Sequence, residues 1–339
     1  MTQASGTSGT NLQIRLAARP KGLPKDSDFQ LTEEPIPQPG EGQVLVRNLF
    51  LSLDPAMRGW MNEGRSYVPP IGIGEVMRGL TLGEVAESRH PDFAPGGLVS
   101  GILGWQRYAV ARGKDLQKLP PGIPPTVALG PLGMTGLTAY FGLLDVGQLK
   151  AGETVLVSGA AGAVGSIVGQ IARIHGCRAV GIAGTDDKCR WLTEELGFDT
   201  AINYKTAQDL HEEIRKACPK GVYVYFDNVG GEILDTALRS LALHARVVIC
   251  GAISQYNATE SVKGPSNYLA LLVQRARMEG FVIFDYQSRF AEAQAQLGRW
   301  LAEGKLHYRE DVVEGLENAP RALLRLFDGS NTGKLVVKI

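Results

Sequence analysis

The chain has 339 residues, with 35 Lys and Arg against 35 Asp and Glu, so its formal charge is zero. That length predicts two domains, each able to bury its own core, and a neutral balance without basic clusters excludes the electrostatic footprint of a nucleic-acid or anionic-membrane binder. Four cysteines, Cys177, Cys189, Cys218 and Cys250, lack any paired spacing, which fits reduced thiols in a cytoplasmic protein rather than a disulfide framework.

Residues 1–12 have no apolar core segment, so they do not read as a signal peptide and are expected to form a disordered tail. From residue 13 to 130 the texture is β-rich. Gln43 to Leu49 is a strand candidate behind a proline-rich turn, further short strands are expected over Gly79–Val85 and Leu98–Val110, and Leu51 to Met61 reads as a strand entering a short irregular helix. Around residues 120–149 the pattern turns helical, with Leu137, Tyr140, Phe141 and Leu144 on one face.

The most informative stretch is TVLVSGAAGAVGSIVGQIARIHG, Thr154 to Gly176. Thr154–Val157 is a short β-branched apolar run, the pattern of a strand buried on both faces. Gly159, Gly162 and Gly165 follow, then Val164, Ile167, Val168 and Ile171 at helical spacing, with Gly176 as the stop. Strand, glycine turn and helix together make a dinucleotide-binding fingerprint, because glycine permits close backbone approach to a pyrophosphate and the helix start offers unpaired N–H groups. Ser158, Gln170 and the glycines break the run, so it is not a membrane span.

Beyond it strands and helices alternate. Strands are expected at Ala179–Ala183, Ala201–Tyr204, Val222–Asp227 and Arg246–Cys250, and helices at Asp187–Leu196, Gln208–Ala217 and Ile233–Leu241. That alternation implies βαβ units and a parallel sheet, placing a nucleotide domain at residues 131–285. Gly280–Tyr286 is expected as an exposed edge strand. The terminal Gly333–Ile339 reads as a strand returning to the first domain.

An NAD-binding unit carries an acidic residue about 20 residues past the glycines to bond the ribose hydroxyls. Here the second strand ends in Ala183-Gly184-Thr185, with Lys188 and Arg190 close behind. A missing acid beside a cation suits a 2′-phosphate and favours NADP(H); the same cations beside Asp186 and Asp187 also suit an ordinary helix surface.

The motifs LSLDPAMRGWM, GMTGLTAY, SGAAGAVGS, AGTDDK, GFDTAINYK, FDNVGGE, CGAISQYN and NTGKLVVKI resemble those of the zinc-independent medium-chain dehydrogenase/reductases. Within them the chain is most similar to the branch of alkenal and one double-bond reductases, prostaglandin reductases and leukotriene hydroxydehydrogenases. The resemblance spans Gln13 to Ile339. It implies a GroES-like catalytic domain over residues 13–130 and 286–339, a Rossmann NADP-binding domain over 131–285, a cofactor between them, and a homodimer joined through Rossmann sheets. It also implies that Ala163 and Val164, with Gly162 and Gly165 of the turn, lie on the pyrophosphate. Gly184, Thr185, Lys188 and Tyr204 would surround the 2′-phosphate. Asn228, Cys250, Ile253, Ser254 and Tyr256 would line the nicotinamide half, approached by Met134 and Thr135 and closed by Phe281, Val282 and Asn331.

The chain departs from the family at Ala56, where an aromatic residue is common, and at Val273, where animal members carry a tyrosine. Tyr268 then stands beside Tyr256 as a candidate catalytic phenol. No metal is expected: the first domain has no cysteine, and His90 is its only histidine before Gly130, too few ligands for a catalytic zinc. A GxSxG elbow is also absent. The resemblance implies NADPH-dependent hydride delivery to the β-carbon of a small hydrophobic α,β-unsaturated aldehyde or ketone, with the developing enolate stabilised by hydrogen bonds. Quinone reduction on the same fold is the nearer alternative. A non-enzymatic NADPH-binding or RNA-associated role is the more distant one, and the neutral charge weighs against RNA.

Overall fold

The computed structural model describes residues 9–120 and 122–339, which divide into two compact units. The first comprises Met1–Leu129, Glu310–Ser330 and Leu335–Ile339; the second comprises Gly130–Arg309 and Asn331–Lys334.

In chain order the first unit begins with β1 (Thr10–Leu16), β2 (Phe29–Pro35), β3 (Gln43–Ser52), α1 (Ala56–Trp60), β4 (Thr81–Ser88), β5 (Leu98–Gly101), β6 (Tyr108–Arg112), β7 (Gln117–Lys118) and α2 (Pro125–Leu129). The second unit runs through α3 (Met134–Phe141), β8 (Thr154–Val157), α4 (Gly165–Ile174), β9 (Arg178–Ala183), α5 (Asp186–Arg190), β10 (Thr200–Asn203), α6 (Leu210–Ala217), β11 (Val222–Asp227), α7 (Gly231–Leu238), β12 (Leu241–Ile249), α8 (Leu269–Val273), β13 (Arg277–Gly280) and α9 (Phe290–Ala302). The chain closes with β14 (Glu310–Glu314), α10 (Ala319–Asp328) and β15 (Lys334–Lys338).

In the first unit β1 and β2 pair antiparallel, and a seven-stranded sheet runs β14-β15-β3-β4-β5-β7 with β6 also on β3. The last strand pairs antiparallel with β3, Val336 opposite Ser52 and Lys338 opposite Phe50. Buried Arg58 of the DPAMR motif donates to the carbonyls of Gly22 (2.9 Å) and Pro20 (3.2 Å) and to Asn62 Oδ1 (2.6 Å). Its guanidinium pins a loop, and burial lowers its pKa while the Asp28 charge opposes that shift. Ala56 is the first residue of α1, half-buried.

The second unit is a parallel sheet in the order β10-β9-β8-β11-β12-β13. That is a doubly wound order, with the reversal of direction between β8 and β11, where such sheets open a ligand crevice outside the strands' carboxyl ends. Side-chain alternation explains why both faces are covered. Val155 and Val157 of β8 point into one core with α4 residues Ile167, Val168 and Ile171, while Leu156 between them joins the other core with Ile233, Leu234 and Leu238 of α7. Across the amino-terminal side, Arg246 of β12 donates to the carbonyls of Gly147 (2.7 Å) and Gln148 (2.9 Å) and to Glu153 Oε1 (2.9 Å).

Several expectations require correction. The tail expected over residues 1–12 ends sooner, because Thr10 opens β1 and Asn11 and Leu12 are buried; residues 1–8 lie outside the described residues. The C-terminal return starts at Glu310 rather than 286, because α9 buries Ala293, Leu297 and Trp300 against the α3 side of the second unit. The helix expected to reach Leu241 stops at Leu238, and β12 starts at Leu241. The edge strand is Arg277–Gly280 instead of Gly280–Tyr286; Ile283–Arg289 form tight 3-10 turns, with Tyr286 stacked on Phe141 at 4.7 Å. The helices after Phe141 and Arg190 continue as wide turns over Gly142–Val146 and Trp191–Glu195.

Removing one partner of a buried ion pair leaves the other charge uncompensated. Arg246→Ala is therefore expected to lower stability by about 3–5 kcal/mol, read as a shift of the urea midpoint at unchanged slope. A shift typical of a surface site would show that Glu153 and the two carbonyls find water instead.

Candidate functional site

The site is built from loops at the carboxyl ends of β8, β9, β11 and β12. At the exit of β8 the backbone turns through Gly159, at φ +57°. Gly165 then opens α4 so close to that turn that a Cβ would lie 2.4 Å from the Gly159 carbonyl oxygen and 2.8 Å from Ala160 Cα. Only hydrogen fits there, so the helix start approaches its own turn closely and the turn presents backbone outward. Gly162, Ala163 and Val164 form the half-buried outer surface of the turn. Asn331 and Gly333 lie alongside it: the Gly333 N–H donates to the Ala161 carbonyl (2.9 Å), and Gly162 and Gly333 form a parallel bridge.

The exit of β11 is organised by Asp227, only 1% exposed. Its Oδ1 accepts from Ser158 Oγ (2.7 Å), Tyr225 Oη (2.8 Å) and the backbone N–H groups of Val229 and Gly230 (both 3.0 Å). Ser158 Oγ in turn accepts from the Asn228 N–H (2.9 Å), and Asn228 Nδ2 donates to the Ser158 carbonyl (2.7 Å). These bonds tie the β8 and β11 exits together at the point where the sheet order reverses. Burial first, then the Asp227 charge, hold the Tyr225 phenol well above its ordinary pKa. The same two causes push the Cys250 thiol up to about 12, so it stays protonated and is no nucleophile at neutral pH.

The β12 exit is stitched to the β11 exit through backbone. Cys250 and Gly251 N–H groups donate to the Asp227 carbonyl (2.9 and 3.1 Å), Ile253 N–H to that of Asn228 (3.2 Å) and Ser254 N–H to that of Val229 (3.1 Å). Ser254 Oγ adds a 2.6 Å bond to the Val229 carbonyl. Tyr256 folds back so that its hydroxyl accepts from the Ala252 N–H at 3.2 Å.

At the β9 exit, Thr185 caps α5 by accepting from the Lys188 N–H (3.3 Å). Tyr204 donates its N–H to the Ala183 carbonyl (3.1 Å), setting its ring over Gly184. The nearest acid, Asp186, accepts from Asn203 Nδ2 at 2.7 Å.

The structure thus gathers Gly162, Ala163, Val164, Gly165, Asn228, Cys250, Ile253, Ser254, Tyr256 and Asn331 on one group of neighbouring loops, and Gly184, Thr185, Lys188 and Tyr204 on a second. The second set is joined to the turn by the Ala160 N–H to Ile182 carbonyl bond (3.0 Å). Phe281 packs against Gly142 beside Phe226 of β11, and Val282 follows it. Met134 and Thr135 open α3, with the Thr135 hydroxyl donating to the Gly130 carbonyl (2.9 Å). Tyr268 stands apart: it precedes α8, is 58% exposed, and its hydroxyl makes no hydrogen bond among the described residues. Sequence reading missed Ser158 and Asp227. The available signal was a polar residue at the carboxyl end of each of two buried strands flanking the sheet's reversal.

Among the described residues no group of three or more His, Cys, Asp or Glu could hold a metal ion, and no helix is long and apolar enough to cross a membrane.

Residues 12–119 match the family described as the N-terminal domain of oxidoreductase, and residues 163–299 the one described as zinc-binding dehydrogenase. The chain is 48% identical over 332 residues to the NADPH-dependent curcumin reductase of Escherichia coli, covering 96% of this chain and 95% of that one. It is 42% identical over 338 residues to a 2-alkenal reductase (NADP(+)-dependent) of Nicotiana tabacum, covering 97% and 98%. CurA from Vibrio vulnificus in complex with NADPH superposes with a TM-score of 0.92 at 47% identity, covering 96% of this chain and 98% of that one. With this likeness running through both units, the chain belongs to the medium-chain dehydrogenase/reductases, in their branch of alkenal and prostaglandin reductases.

Proposed function

We propose that the protein reduces the carbon–carbon double bond of α,β-unsaturated aldehydes and ketones with NADPH. The observation that carries this reading is the joined loop set of the second unit. Its close-packed glycine turn suits a pyrophosphate, and its β9 exit places Lys188 in the first turn of α5 and the Tyr204 hydroxyl over Gly184, with Asp186 bonded to Asn203. NADP(H) fits those donors, with Gly162–Gly165 at the pyrophosphate, Gly184, Thr185, Lys188 and Tyr204 at the 2′-phosphate, and Asn228, Cys250 and Ile253–Tyr256 at the nicotinamide half. When bound it supplies a hydride for the substrate's β-carbon, and a proton completes the α-carbon.

The chain's own residues position and stabilise. Asn228 spends an amide N–H on the Ser158 carbonyl, which fixes the side chain at the β11 exit with Oδ1 as its acceptor. Tyr256 accepts from the Ala252 N–H, which holds its phenol in place as a hydrogen-bonding group for charge building on the carbonyl oxygen. The Cys250 thiol, held neutral, adds a small apolar surface rather than reactivity. The reaction needs no side-chain nucleophile.

We further infer a cytoplasmic homodimer. β13 ends the sheet, and the neighbouring α8 exposes Leu269 (57%), Leu272 (74%) and Val273 (67%) on the side away from its packed Leu271. A second copy adding its own β13 would cover both the strand edge and the apolar helix face.

NADPH consumption with a medium-chain 2-alkenal should yield the saturated aldehyde; turnover of a quinone alone would replace this reading with quinone reduction. Tyr256→Phe should slow kcat by about 10- to 100-fold without abolishing it, and a complete loss at intact NADPH binding would make the phenol indispensable. Asp227→Asn replaces an acceptor by an amide whose NH₂ faces other donors. It should cost about 1–3 kcal/mol of stability and weaken NADPH binding, both read from urea and fluorescence titrations. For the assembly, sedimentation velocity should show a dimer that Leu272→Glu converts to a monomer; a monomeric wild-type chain would remove the interface.

A further inference from the structure

We infer that Lys205 is a second cation of the 2′-phosphate site and helps to set the preference for NADPH over NADH; this rests on the NADP(H) reading above. The placement comes from Asn203, the last residue of β10. Its Nδ2 donates to Asp186 Oδ1 (2.7 Å) at the start of α5, and its Oδ1 accepts from the Lys205 N–H (3.1 Å). One amide therefore fixes the backbone of Lys205 relative to the β9 exit.

From that position the Lys205 stem lies over Gly184 together with the Tyr204 ring. A Cβ at Gly184 would sit 3.4 Å from Lys205 Cε, 3.2 Å from Tyr204 Cε1 and 3.5 Å from Tyr204 Oη. Both residues thus converge on the tip of the second strand, where the ribose 2′ position is read in this fold. The apolar stem packs and the ammonium extends beyond it.

The charge there is uncommitted. Among the described residues the Lys205 ammonium has no ion pair or hydrogen bond. Both nearby acids are occupied, Asp186 by Asn203 and Asp187 by Arg190. A dianionic phosphate over Gly184 would meet a phenol hydroxyl and an unneutralised ammonium, whereas a bare ribose hydroxyl would gain little from the cation. Lys205 lies two strands past the glycine turn, so a search confined to the end of the second strand does not reach it.

The test uses the full-length protein, titrated with 2′,5′-ADP, 5′-AMP, NADPH and NADH by calorimetry or fluorescence. Lys205→Gln should weaken 2′,5′-ADP and NADPH about five- to tenfold and NADH by less than about twofold. It should also flatten the salt dependence of NADPH binding, and Lys205→Arg should restore most of the loss. An unchanged NADPH-to-NADH ratio in Lys205→Gln, or an equal loss for both nucleotides, would overturn the assignment while leaving the NADP(H) reading in place. Wild-type protein that binds 2′,5′-ADP no better than 5′-AMP would instead overturn the NADP(H) reading and this inference with it.

Discussion

The carboxylate of Asp227 is the interaction on which the arrangement of the second unit depends. A charge buried to 1% exposure is costly unless its lone pairs are filled, and here two hydroxyls and two backbone N–H groups fill them. Each donor belongs to a piece of chain that must hold still. Ser158 is the exit of β8, Tyr225 is in β11, and Val229 and Gly230 form the turn into α7. Because that turn passes through Gly230 and Gly231 at φ +71° and +58°, it needs external bonds to keep one conformation. The carboxylate supplies them. The β12 exit then hangs on the same turn through the Asp227, Asn228 and Val229 carbonyls.

The β9 and β10 exits are organised separately, by the Asn203 amide rather than by Asp227. Their bonds lie nearer the surface, with Thr185, Tyr204 and Lys205 all exposed. The division has a physical logic. A pyrophosphate and nicotinamide demand rigid backbone, whereas a phosphate dianion can be met by long, solvated side chains whose charge acts at a distance. One set is fixed by burial and the other by a short polar brace.

How much of this was legible in the sequence follows from where its information is local. Strand, glycine turn and helix at Thr154–Gly176 were readable because each element announces itself within a few residues, and the sheet alternation followed from period. What escaped depends on partners distant in sequence. Leu241 has the character of a helix residue, yet it begins β12 and pairs with Val222 of β11. Phe281–Tyr286 has the composition of a strand but is drawn into turns by the stacking of Tyr286 on Phe141. Asn11 and Leu12 adjoin a polar tail, but β2 pairs with them, Leu12 opposite Glu33 and Asn11 opposite Glu34. Residues 286–309 lie beside the C-terminal return in sequence, but Trp300 and Leu297 find their core in the second unit. Asp227 was in plain view in FDNVGG, where an acid before a glycine pair reads as turn chemistry; only the fold reveals that Ser158 and Tyr225 reach it.

The two candidate phenols show the same contrast. Tyr256 and Tyr268 are equivalent by residue type, but the loop that carries Tyr256 is bonded to the Asn228 and Val229 carbonyls, and its hydroxyl is held by Ala252. Tyr268 follows Asn267, which bonds Asp235, but its own hydroxyl makes no hydrogen bond among the described residues. A group that stabilises developing charge is effective when its orientation is fixed before the charge appears. A phenol 58% exposed and without a hydrogen-bonded position must be ordered during each turnover, at an entropic cost. The polar side chains at the sheet's reversal are engaged in holding backbone, and the exposed phenol of Tyr268 lies outside that set. This organisation suits an enzyme whose bond-making equivalents arrive with its ligands, with the protein's contribution lying in the positions it holds for them.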